Sequence, residues 1–174
     1  MDFLTLMKTR YSVRKFDETK PVSDELIQQI LEAGRIAPTA KNCQPQRVYV
    51  IKSPEALATL RSTTRMCYNA PLAFLVGYDK TVSCKASMFG DDDFDIGMTD
   101  ADIVATSMMM EATDLGLGTL WARGFAAQDF NRAFALPDTF VPMVLLDVGY
   151  AAPDCVPSPN HEKRFPMEHS VIEL

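Results

Sequence analysis

The sequence predicts one domain in which helices and strands alternate, without the glycine loop of a dinucleotide-binding fold. Three observations carry this. The 174 residues suit a single domain, 1–174, with room for a real core. Helix-spaced apolar positions interleave with short β-branched and aromatic runs along the chain. The glycines Gly116 and Gly118 do not complete a nucleotide loop, because Trp121 takes the third glycine position and the motif follows a helix instead of a strand.

Taken in order, Phe3, Leu4, Leu6 and Met7 predict a short amphipathic helix capped by Asp2. A basic segment leaves it in extended form. Pro21 and Ser23 introduce a second helix with Leu26, Ile27, Ile30 and Leu31 on one face, ending near 34–38. Pro45 leads into a strand over 47–51, and Ser53-Pro54 is a cap followed by proline at the first helical position. Ala73 to Tyr78 reads as a buried strand. Residues 79–98, with the acidic cluster Asp91–Asp95, read as a surface excursion: a lid or a solvated loop. Thr99 and Asp102 match a capping box and predict the start of the longest helix, with Gly116 as its stop. That helix is apolar nearly all round (Ile103, Val104, Met108, Met109, Met110), which points to a subunit interface. A strand over 118–122, a helix marked by Phe130 and Phe134, and a strand over 143–150 complete the pattern. The tail after Pro153 is Pro-rich. Its end, Val171 to Leu174, is apolar enough to dock as an edge strand.

Net charge is −6, which argues against nucleic acid or an anionic membrane as partner. No apolar run reaches membrane-spanning length, and no signal-peptide pattern opens the chain. Cys43, Cys67, Cys84 and Cys155 are scattered, which fits reduced thiols in a cytoplasmic protein. The two histidines, His161 and His169, both lie in the tail, so neither a histidine metal site nor a Ser-His-Asp triad is expected.

Against this acidic background, Arg10-Tyr11-Ser12-Val13-Arg14-Lys15-Phe16 concentrates cations. Alternate residues of an extended segment share a side, so Arg10, Ser12 and Arg14 can meet one ligand. Two guanidinium forks and a hydroxyl suit phosphate oxygens or a carbonyl-bearing ring. The plainer alternative is a solvated basic patch behind a helix.

Three further stretches accompany this motif: Ala37-Pro38-Thr39-Ala40-Lys41-Asn42-Cys43-Gln44-Pro45, Gly116-Leu117-Gly118-Thr119-Leu120-Trp121-Ala122-Arg123-Gly124, and Arg164-Phe165-Pro166. In type, order and spacing the set resembles the nitroreductase family of FMN-dependent oxidoreductases, from Phe3 to the tail. The resemblance implies an α+β fold with a mostly antiparallel central sheet flanked by helices. It also implies an intertwined homodimer with FMN at the interface. Arg10 and Ser12 match positions that hold the FMN phosphate, with Tyr11 contributing backbone contacts. Arg14 matches the basic residue beside the pyrimidine edge. Pro38, Thr39, Ala40 and Asn42 match a loop reaching the flavin from the other subunit, although Ala40 lacks the hydroxyl common there. Trp121, Ala122, Arg123 and Gly124 match the segment under the ring, the last two through backbone amides; Trp121 either contacts the ring or packs in the core. Arg164 matches a tail cation on the phosphate, with Lys163 adjacent, but a family lysine two positions before Arg164 is Glu162 here. Arg65 could reach the ribityl chain or phosphate.

The implied activity is reduction of electron-poor small molecules, such as nitroaromatics or quinones, with NADH or NADPH as donor, by a ping-pong mechanism. The flavin carries the chemistry and no protein acid or base is required. Two other readings remain open. One is a flavin-binding carrier or sensor without turnover; the other is a specialised flavoenzyme of the same fold.

Overall fold

The central pair of strands follows from two uninterrupted apolar runs. In the computed structural model, which describes residues 2–85, 90 and 94–174, β2 (Leu72–Asp79) and β4 (Phe140–Gly149) lie side by side. They are flanked by β1 (Gln46–Ile51) and β3 (Gly118–Ala122) in the order β1-β2-β4-β3, every pair antiparallel. Both faces are covered, which is why these strands do not alternate with polar residues. Phe74, Val76, Leu146 and Val148 pack under α2 (Asp24–Arg35) and α4 (Ile96–Asp114). Ala73, Leu75 and Leu145 face α3 (Pro54–Thr63) and α5 (Ala127–Ala133), through Leu57, Leu60 and Phe130. The result is the α+β architecture expected.

Local capping sets most helix starts. Asp2 accepts the Thr5 N–H at 3.1 Å before α1 (Phe3–Thr9), and Ser53 accepts the Ala56 N–H at 3.2 Å before α3. Ser23 caps α2, whose Ile27 and Ile30 are buried. The longest helix departs from expectation. It begins at Ile96, and Asp95, not Thr99, is its cap. One Asp95 oxygen accepts from the Gly97 N–H at 3.1 Å and the Ser83 hydroxyl at 2.7 Å; the other accepts from Tyr78 at 3.1 Å. A cap fixed from three elements overrides a local capping box, so Asp102 lies inside the helix. Asp95 is thus a structural hub and not a solvated loop charge. Burial first, then this contact, pushes the Tyr78 hydroxyl up to about 12. Asp91, Asp92 and Asp93 lie outside the described residues.

The last strand also starts earlier than expected, at Phe140, despite Pro142. The pairing shifts register between Val76 and Gly77, where Gly77 faces Pro142, so a bulge absorbs the missing N–H. A Cβ on Gly77 would sit 2.2 Å from the Val141 carbonyl oxygen and 2.6 Å from the Phe140 ring. Gly77→Ala is therefore expected to destabilise the chain by about 1–3 kcal/mol, read as a lower urea midpoint. An unchanged midpoint would mean the bulge relaxes at no cost.

Val171 to Leu174 forms no edge strand on this chain; these residues are exposed and follow a short turn over Met167–His169. On the outer side, Phe3 and Leu4 of α1 are 65% and 60% exposed beside a groove bordered by Ser107, Met110 and Glu111 of α4. The apolar surface expected of the longest helix is thus partly core and partly open. Among the described residues, no helix is long and apolar enough to cross a membrane.

Candidate functional site

The basic motif is held as an extended strap across one end of the sheet. Arg10 ends α1 in extended conformation, its N–H still donating to the Leu6 carbonyl at 3.0 Å. The Val13 N–H then donates to Thr119 O at 2.9 Å, and the Asp17 N–H to Tyr150 O at 2.8 Å. The Ala152 N–H donates to Lys15 O at 3.0 Å. The strap is thereby tied to the start of β3 and the end of β4. Val13 and Phe16 are buried, and they act as anchors that turn Arg10, Ser12 and Arg14 outward.

Those three side chains, with Tyr11, line a cavity of about 300 Å³. Its opposite wall comes from the tail: Ser158, Asn160, His161 and Arg164. Among the described residues that line it there are three arginines and no carboxylate. Burial first, then the neighbouring Arg164 charge, lowers the Arg10 guanidinium below its ordinary value. Two cations confined together without an acid cost free energy that a bound anion would recover. Tyr11 stays a neutral donor, because burial and then the Cys155 thiol push its hydroxyl upward. Arg164 is steadied by its own segment, donating to the carbonyls of His161 at 2.7 Å and Lys163 at 2.8 Å.

Arg14 also borders a second cavity, of about 510 Å³, lined by Arg61, Arg65, Cys67 and Asn69 among others. Glu18 lies on this rim and accepts from Asn69 at 3.1 Å. The two cavities thus meet at Arg14, and Arg65 belongs to the second of them.

The remaining expected residues fall elsewhere. Lys163 is exposed, outside the lining of the first cavity, with its N–H donating to Asn160 O at 3.2 Å. Pro38, Thr39, Ala40 and Asn42 form a tight turn after α2 that lines neither cavity on this chain. The Thr39 hydroxyl accepts the Gln44 N–H at 3.1 Å, and the Ala40 N–H donates to Asp100 at 2.9 Å. Trp121 packs at the edge of the main core, and Ala122 is buried. Arg123 and Gly124 emerge exposed at the end of β3. Gly124 lies beside Met66, within the segment that lines the second cavity: a Cβ there would meet the Met66 sulfur at 3.5 Å. Ser158, Asn160 and His161 were not expected in the site. Only their closeness to Arg164 in the chain could have pointed to them.

One buried carboxyl group stands apart from the site. Asp147 lies mid-β4, paired with Ala73 and Leu120, with no exposed surface. Neither carboxyl oxygen has a hydrogen-bond partner among the described residues. Burial pushes its pKa up to about 8.

Known proteins share this architecture. The Nitroreductase family model matches residues 7–66 and 58–150. A nitroreductase family protein from Clostridium difficile 630 superposes with a TM-score of 0.89 at 35% identity, over 99% of this chain and 98% of that one. A structure from Exiguobacterium sibiricum 255-15, solved in complex with FMN, shares the fold with a TM-score of 0.84 at 24% identity, covering 100% and 98% of the two chains. An NADPH-dependent oxidoreductase of Staphylococcus haemolyticus is 27% identical over 94% of this chain and 70% of its own. Strap, sheet order and family model point the same way, and the chain belongs to the nitroreductase family.

Proposed function

We propose that this protein is an FMN-dependent oxidoreductase that uses NAD(P)H to reduce electron-poor small molecules such as nitroaromatics and quinones. The observation that carries the reading is the cavity formed where the strap meets the tail, lined by three arginines and, among the described residues, by no carboxylate. A flavin mononucleotide fits that donor set, because a phosphate dianion neutralises the crowded guanidiniums. Bound there, FMN would supply alternate hydride acceptance from NAD(P)H and donation to the acceptor, a ping-pong exchange at one open face. Arg10, Ser12 and Arg164 would hold the phosphate. Tyr11 closes the cavity wall. Arg14 is shared by both cavities; as a fixed cation it would lie beside the pyrimidine edge of a bound flavin and favour the reduced, anionic ring. The Arg123 and Gly124 amides at the end of β3 would donate to the ring of a bound flavin. The Pro38–Asn42 turn serves the flavin of a second copy, in a homodimer that covers the apolar surface of α1 and α4. Free cysteines suit a cytoplasmic setting.

The test is the visible spectrum of the purified protein with mass spectrometry of what heat releases, followed by NAD(P)H oxidation with an added quinone. A yellow protein that releases FMN and turns over supports the reading. A colourless protein that takes up no FMN sinks it, and flavin binding without turnover leaves a carrier. Arg14→Ala is expected to weaken FMN binding and slow reduction by NAD(P)H, each about tenfold. Wild-type values for both would remove Arg14 from the site.

A further inference from the structure

We propose that His161 is a phosphate-binding residue of this chain, and that its grip requires uptake of a proton. The inference rests on the FMN reading above. It starts from the two walls of the arginine cavity. The strap brings Arg10 and Arg14, whereas the tail wall brings one permanent cation, Arg164, and beside it His161. Every other residue from 156 to 174 is exposed; His161 alone is partly buried.

The ring is held from two sides. Its Nε2 lies 3.2 Å from the Lys8 carbonyl at the end of α1, and its edge packs on Tyr11 with centroids 6.1 Å apart. A carbonyl can only accept, so Nε2 carries the hydrogen. In a neutral imidazole the other nitrogen, Nδ1, is then an acceptor and repels a phosphate oxygen. Only the imidazolium offers a donor there. Arg10, Arg14 and Arg164 share the cavity with the ring; Glu162 and Lys163 follow it in the tail, and Lys8 carries the carbonyl that holds it. A phosphate dianion in the cavity favours the imidazolium. Binding should therefore draw a proton onto the ring, and affinity should rise as pH falls through the range where histidine titrates.

The experiment compares wild type with His161→Gln, which keeps an amide donor for the Lys8 carbonyl but cannot take a proton. FMN dissociation constants are measured on apo-protein by flavin fluorescence. The variant is expected to bind about tenfold more weakly than wild type near pH 6, and within about twofold near pH 8.5. The phosphate's own titration is common to both proteins and cancels in the ratio. His161→Lys, a fixed cation, should bind more tightly than wild type near pH 8.5. Riboflavin, which lacks the phosphate, should bind both proteins alike. A ratio that stays constant with pH, or an equal loss for riboflavin, overturns the proposal while leaving the FMN reading intact. If wild type binds no flavin, the FMN reading fails, and competition by inorganic phosphate for an anionic dye in the cavity decides the histidine's role by the same pH ratio.

Discussion

Asp147→Asn is expected to stabilise the protein increasingly as pH rises. The carboxyl is fully buried, has no partner among the described residues, and is shifted up to about 8 by burial. In the unfolded chain it titrates near its ordinary value of 3.8. Between those values the folded state holds a proton that the unfolded state has released. Stability from this group is complete below the lower value, falls as pH climbs, and is fully lost above about 8. Each tenfold difference in proton affinity is worth about 1.4 kcal/mol, so the loss has an upper limit of roughly 6 kcal/mol. Asparagine has no charge to bury. Urea midpoints of the two proteins should lie closest near pH 4, separate steadily toward pH 8, and keep a constant gap above it. A gap that does not change with pH would mean the carboxyl finds a partner or water when it ionises.

Arg10→Ala is expected to act in opposite directions on the two forms of the protein. With FMN, it removes a charge-assisted contact to phosphate, and binding should weaken by about tenfold to a hundredfold. Without FMN, it relieves the crowding of Arg10 by Arg164 that contributes to its lowered pKa. The apo-protein should therefore melt no lower than wild type, while the stabilisation gained on adding FMN shrinks. Paired thermal melts with and without FMN check this. A variant that melts lower in both forms would make Arg10 a structural residue.

How much of the molecule was legible depended on how far each signal reached along the chain. The caps at Asp2, Ser23 and Ser53 act within one helical turn, so the sequence displays them. The strap was readable because buried Val13 and Phe16 leave the alternation of Arg10, Ser12 and Arg14 intact. The Asp95 cap was not, since Ser83 and Tyr78 hold it from other elements and a nearby capping box offered a local alternative. The last strand was expected only from Met143, because what lets Phe140 to Pro142 pair is a bulge at Gly77 on the neighbouring strand. His161 sits in a proline-rich stretch without periodicity. What gives it a role is a carbonyl 153 positions away.

That separation has a consequence for how the protein is made. One wall of the arginine cavity comes from residues 10–14, the other from 158–164, and the strap itself is pinned to Thr119. Closing so long a loop carries an entropic cost, and the two walls are expected to meet only after the local helices have formed. The cavity should be absent from the folding transition state. A ligand that recognises only the finished cavity cannot then hasten folding; it can only lengthen the life of the native state. In stopped-flow experiments, FMN should leave the refolding limb untouched and lower the unfolding limb alone.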